Sequence, residues 1–225
     1  MKKYLAEVLG TFGLVFAGTG AIVINDFSQG AITHVGIALT FGLIVMAMIY
    51  SVGDISGAHL NPAVTIGFWV AKRFPAKEIF PYILSQLIGA FLASGLLWFV
   101  FPEHPNLGAT LPALTLAQVF VFELILTFFL MFVIINVSTG AKEKGLMAGV
   151  AIGATVALEA LFAGPVTGAS MNPARSIAPA LVSGNLTGLW VYIVAPIIGA
   201  YLAILGCKGV QEECCCCTEN EALCE

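Results

Sequence analysis

The sequence predicts an all-α membrane protein with six transmembrane helices and two re-entrant half-helices, arranged as an inverted 3+3 repeat. Three observations predict it. The first is composition: hydrophobic residues are 59% and charged residues 10% of 225, against roughly 45–50% and 25% in soluble domains. Mean hydropathy is +0.98. The second is a series of apolar runs of bilayer length. The third is a short motif that occurs once in each half of the chain.

The elements follow in order. A hydrocarbon core of ~30 Å takes about 20 apolar residues of helix. Runs of that kind occupy residues 4–24, 34–52, 79–101, 116–137, 145–163 and 186–206. Backbone polar groups in lipid must be satisfied within the segment, so these runs are helices. A β-barrel would show dyad alternation over ~10-residue stretches, and none is present. Residues 61–71 and 172–182 are apolar but too short to span. Both open with Asn-Pro-Ala: Asn61, Pro62, Ala63 and Asn172, Pro173, Ala174. Asn is a strong helix N-cap, and Pro suits the first helical position, where its missing N–H is not needed. Each therefore predicts a helix starting at its Asn and crossing about half a bilayer at ~1.5 Å per residue. The first run follows Lys2 and Lys3 and reaches Ile24. That is too long for a signal-peptide core, so it is expected to remain as a span.

Charge placement sets orientation and excludes some functions. Lys2, Lys3, Lys72, Arg73, Lys77, Lys142, Lys144 and Lys208 all fall on one side of the predicted topology. The positive-inside rule makes that side, with both termini, cytoplasmic. A cell membrane, plasma or inner, is the expected location. The exception is Arg175, inside the second half-helix, where a guanidinium is costly unless it faces water. No basic patch exists to neutralise phosphates, so nucleic acid is not an expected partner. Neither metal-ligand spacing nor a nucleophile–base pair appears in the body, and neither enzymatic activity nor a cofactor is expected.

The halves repeat. Gly-Ala-His-Leu-Asn-Pro-Ala-Val at 57–64 and Gly-Ala-Ser-Met-Asn-Pro-Ala-Arg at 168–175 agree at five of eight positions, 111 residues apart. Glu7 in the first span is matched by Glu123 in the fourth. Three spans per half invert the second copy, so a two-fold axis lies in the membrane plane. The half-helices then enter from opposite faces and meet N-terminus to N-terminus, where their dipoles place a positive potential. Asn61 and Asn172 would offer amide donors there. The carbonyls of Gly57, Ala58, His59, Leu60, Gly168, Ser170 and Met171, on the approaches, would form a ladder of acceptors.

These motifs resemble those of the aquaporin or major intrinsic protein family. The resemblance covers nearly the whole chain, from Glu7 to Gly206. The second half is most similar to the nodulin-like intrinsic proteins and their bacterial relatives. It implies a right-handed bundle assembled as a homotetramer, with one pore per protomer. It implies a passive channel for water and small neutral solutes (glycerol, urea, boric or arsenous acid) that excludes ions and protons. It assigns Glu7 and Glu123 to bracing the loops, and the family's constriction to Phe41, Ala160, Ala169 and Arg175. Strict water channels of the family usually carry His where this chain has Ala160. Glycerol facilitators usually carry Asp where it has Ser176.

Some features stay open at this level. Inverted repeats with broken helices also describe ion-coupled secondary transporters, for which Glu7 and Glu123 are candidate coupling groups. A closed junction protein is a third class. Glu159 is either a buried helix-contact acid or a residue of the outer mouth. The chain divides into a channel domain at 1–206, with repeats about 1–101 and 116–206 joined by a linker at 102–115, and a tail at 207–225. No cysteine precedes position 207, so no disulfide framework ties the body together. The tail carries Cys214, Cys215, Cys216 and Cys217 among acidic residues and is expected to be disordered. Clustered thiols suit soft metals or trivalent arsenic.

Overall fold

The computed structural model describes residues 1–138 and 146–210. Eight α-helices are described in full: α1 (Lys2–Phe27), α2 (Thr33–Ser56), α3 (Pro62–Val70), α4 (Ile79–Val100), α5 (Leu116–Val137), α6 (Ala148–Thr167), α7 (Pro173–Ser183) and α8 (Val191–Val210). A 3₁₀ turn, Ala76–Glu78, leads into α4. Six helices are long and apolar enough to cross a membrane. The other two, α3 and α7, have 9 and 11 residues. No strand occurs among the described residues. The cysteine tail beyond 210, and Lys142 and Lys144, lie outside the described residues.

Several ends differ from the hydropathy reading, for local reasons. The second span runs on to Ser56 and the fifth to Thr167. Each stops at a glycine in the left-handed region, Gly57 (φ 83°) and Gly168 (φ 84°). Glycine takes that conformation without the steric cost of a Cβ, and it closes a helix C-terminus. The sixth span starts at Val191 rather than 186. Gly188, also at positive φ, makes a turn there that bonds the Val191 N–H to its own carbonyl. Hydropathy alone does not separate this apolar turn from a helix.

The polarity of the bundle is inverted relative to a soluble protein. Glu7, Thr11, Gln86, Ser94, Glu123 and Arg175 are buried, while Leu43, Phe80, Leu92, Phe99, Phe129 and Phe162 face outward. That suits a lipid surround, where apolar side chains cost nothing on the outside and polar groups need partners inside.

Packing follows the repeat. Helix α1 lies against α2 and α4, and α5 lies against α6 and α8. The halves meet along α2 and α6, and each half-helix packs on the other half's last span, α3 on α8 and α7 on α4. Small residues hold these crossings close. A Cβ on Gly89 would strike the Val8 carbonyl oxygen and the Phe12 nitrogen; one on Gly199 would strike the Leu124 carbonyl oxygen and the Phe128 nitrogen. These are the same contacts in the two repeats. Between the halves, Gly42 and Gly153 face each other, each one's Cβ position against the other's carbonyl oxygen. The Gly149–Gly153 small-residue pattern therefore packs inside the bundle, with Gly149 against the Tyr50 ring.

Gly89→Ala and Gly199→Ala are each expected to destabilise the protein by about 1–3 kcal/mol through overpacking. Gly95→Ala meets nothing within 4 Å and gains helix propensity, about 1 kcal/mol at most. Thermal unfolding in detergent, followed by size-exclusion fluorescence, separates the two classes. Equal midpoints for all three would contradict this packing.

Candidate pore

The unwound approach to each half-helix is built the same way in both repeats. In the first, Gly57, Ala58 and Leu60 have φ of 83°, 45° and 51°. In the second, Gly168, Ala169 and Met171 have φ of 84°, 41° and 54°. For a residue with a Cβ this region costs on the order of 1–2 kcal/mol, so four such residues need compensation. It comes from two fully buried glutamates. Glu7 Oε1 accepts from the His59 N–H (2.9 Å) and the Ser56 hydroxyl (2.7 Å). Its Oε2 accepts from the Leu60 N–H (2.8 Å) and the Gln86 amide (2.8 Å). Glu123 Oε1 accepts from the Ser170 N–H (3.0 Å) and Oε2 from the Met171 N–H (2.9 Å). Hydrogen bonds to a carboxyl are among the strong ones.

A second tier of bonds repeats too. The Ala58 N–H donates to Ser56 Oγ, and the Ala169 N–H to Thr167 Oγ1. The Tyr82 hydroxyl donates to the Ser56 carbonyl (2.9 Å), and that of Tyr192 to the Thr167 carbonyl (2.7 Å). His59 Nδ1 pairs with Thr65 Oγ1 (3.1 Å), where the second repeat pairs Ser170 with Ser176. The His59 ring stacks on Phe68 and lies against Phe74 and Tyr82.

The half-helices meet end to end. Asn61 caps α3 with its side-chain oxygen on the Ala63 N–H, and Asn172 caps α7 on the Ala174 and Arg175 N–H groups. Each amide nitrogen then crosses to the opposite loop. Asn61 Nδ2 donates to the Met171 carbonyl (2.8 Å), and Asn172 Nδ2 to the Leu60 carbonyl (2.9 Å). One N–H of each amide remains for another acceptor. The last carbonyl of each approach, Leu60 and Met171, is thus already engaged by an asparagine. The ladder expected from the sequence has free steps below these two.

A cavity of about 140 Å³ runs past this junction, room for on the order of ten water molecules. Gly57, Ala58, His59, Leu60, Asn61, Ala169, Ser170, Met171 and Asn172 all line it. So do Phe41 and Arg175, while Glu7 and Glu123 do not. Ala160 is buried on α6, one turn beyond the lining residue Val156 and on the same helix face. Glu159 is buried and is not among the cavity-lining residues.

Arg175 is 1% exposed. Its Nη1 donates to the Gly108 carbonyl (2.9 Å), and its guanidinium lies 5.1 Å from the centroid of the Phe41 ring. Gly108 belongs to the stretch taken from sequence as a linker. It sits at φ 71°, pressed against Thr19. Sequence reasoning also missed Tyr82, Tyr192, Ser56 and Thr167. Their signal was spacing, since Ser56 and Thr167 each stand five residues before their Asn.

Six spanning helices, two half-helices capped tip to tip and a cavity past the tips define a membrane channel. The chain belongs to the major intrinsic protein family, whose description matches residues 1–206. Aquaporin NIP1-1 of Zea mays is 52% identical over 201 residues, which is 89% of this chain and 71% of that one. Nodulin-26 of Glycine max is 48% identical over 201 residues, 89% of this chain and 74% of its own. The solved aquaglyceroporin of Plasmodium falciparum superposes with a TM-score of 0.80 at 28% identity, covering 90% of this chain and 93% of that one. The protein is a passive transmembrane channel for water and small solutes.

Removing a glutamate tests the bracing. Glu123→Ala leaves the Ser170 and Met171 N–H groups without that partner, and a loss of about 1–3 kcal/mol for each is expected. Glu123→Gln keeps one acceptor oxygen and loses less. Thermal unfolding in detergent reads both; an alanine variant as stable as wild type would mean the loop is held by other contacts.

Proposed function

We propose that this channel passes water and small uncharged hydroxylated or amide solutes, with glycerol, urea, boric acid and arsenous acid as the candidates, and rejects ions and protons. The observation that carries this reading is the reciprocal asparagine pair at the tips of two opposed half-helices. Each tip carries roughly half a positive charge, so a cation there meets repulsion while losing hydration. A water oxygen can accept from the spare amide N–H groups. Its own hydrogens then point away, which interrupts a proton wire.

Phe41, Ala160, Ala169 and Arg175 are assigned to the narrowest part. One aromatic wall, two methyls and one guanidinium favour a small solute with an apolar side and a hydrogen-bond acceptor. Asn61-Pro62-Ala63 and Asn172-Pro173-Ala174 form the central station, and the carbonyls on the approaches serve as successive acceptors. Glu7 and Glu123 brace the loops and do not touch solute. Ion coupling finds no support in them, because both are wholly buried and satisfied by the loops.

Cytoplasmic termini, a plasma or inner membrane location and a homotetramer complete the proposal. The apolar outer faces and the basic residues at Lys72, Arg73 and Lys77 support it.

The test is stopped-flow light scattering on proteoliposomes with water, glycerol, urea and boric acid in turn. Faster relaxation than in empty liposomes, with low activation energy and no response to an ion gradient, is expected. No acceleration for any of them would refute the proposal. Ala160→His is expected to cut glycerol flux more than water flux, since a ring replaces a methyl; equal losses would move the constriction elsewhere.

A further inference from the structure

We infer that Gly18, on α1, is a specificity-determining position of the pore, acting through Phe41. This rests on the assignment of Phe41 and Arg175 to the constriction. Gly18 is buried in the middle of α1. The three heavy atoms nearest to a Cβ built there are all ring carbons of Phe41, every one closer than non-bonded atoms can approach. The Arg175 guanidinium also lies against this ring, 5.1 Å from its centroid. Phe41 and Arg175 both line the cavity. The ring is therefore seated in the space left by a missing side chain, while it also meets the guanidinium and the cavity.

Volume, not backbone freedom, is what glycine supplies here. Gly18 has no positive φ, and inside a helix glycine is a poorer residue than alanine. Its near neighbour Gly20 differs, since a Cβ there would find only Leu97 at an ordinary 3.5 Å.

A methyl at position 18 has one cheap outlet. Helix α1 is held against α4 by the backbone contact at Gly89, so the helices do not part easily. The Phe41 ring swings instead, away from α1 and into the cavity it lines. That narrows the opening and covers donors that a polyol would use. Water needs less width and fewer donors. Gly18 is a positioning residue: it touches no solute, but it sets how far Phe41 intrudes.

The experiment compares wild type, Gly18→Ala and Gly18→Ala with Phe41→Leu in proteoliposomes, reading water and glycerol flux by stopped flow. Gly18→Ala is expected to lower glycerol flux about tenfold, the scale of one methylene in a pocket, and water flux less. Phe41→Leu in that background restores glycerol flux, because the shorter side chain no longer needs the space. A density map of the Gly18→Ala tetramer should show the Phe41 ring displaced into the lumen. Unchanged selectivity, equal loss of both fluxes without rescue, or a ring still in place would each overturn the inference. The map decides the matter even if wild type passes water alone. A wild type that conducts neither solute would instead defeat the channel assignment, whatever position 18 does.

Discussion

Unwound backbone in the middle of a bilayer leaves N–H groups that no helix satisfies, and Glu7 and Glu123 are what make it tolerable here. Each carboxyl collects two consecutive N–H groups of one approach loop. That pair of bonds holds the loop in a run of left-handed residues, which turns its carbonyls away from the glutamate. A buried carboxyl without donors would be among the most expensive groups in the fold. Unpartnered loop amides would cost nearly as much. Each problem removes the other, and the half-helix that follows starts from a fixed point. The asparagine caps, their crossing bonds and the position of Arg175 all depend on that point.

The two-fold repeat is close in the scaffold and broken in the lumen. Glycine contacts, tyrosine hydroxyls and glutamate bonds recur in both halves. The lumen positions differ. Arg175 on α7 corresponds to Val64 on α3, and both line the cavity. Ser170 corresponds to His59, whose ring is taken up by Thr65 and three aromatics. Gln86, which bonds Glu7 and Thr65, has Pro196 in its place on α8. Support thus follows the symmetry except at Gln86, while the cavity-lining Arg175 has no charged counterpart in the first half.

How much of this was legible depends on range. The spans and the half-helix starts were readable, because composition and Asn-Pro caps act locally. Phe41, Ala169 and Arg175 were placed through the family's spacing, and the structure brings all three to the cavity wall. Ala160 stands a turn beyond a lining residue rather than on the wall itself. The glycine contacts were hidden, since Gly89 and Gly95 look alike in sequence and only one meets a backbone. Gly108 was hidden for the same reason: its carbonyl matters only because the chain folds it over Arg175. The asparagine bonds to the Leu60 and Met171 carbonyls were not legible, because these partners come from the opposite half of the chain.

The character of the wall completes the physical account. Away from the asparagine pair, Arg175 and the approach carbonyls, the cavity is lined by side chains such as Leu14, Val45, Leu130, Ile134, Ile152 and Val156. Such a wall offers nothing to hold a water molecule, so it neither binds nor slows it. The polar groups along the cavity, the asparagine pair, Arg175 and the approach loops, would compensate, step by step, for hydrogen bonds lost on leaving bulk water. A neutral molecule can trade one partner for the next among them. On the proposed reading an ion would not, because its charge needs a full hydration shell. On that reading, permeability and exclusion arise from the same groups: polar partners enough for a neutral solute, too few to replace the hydration shell of a charge.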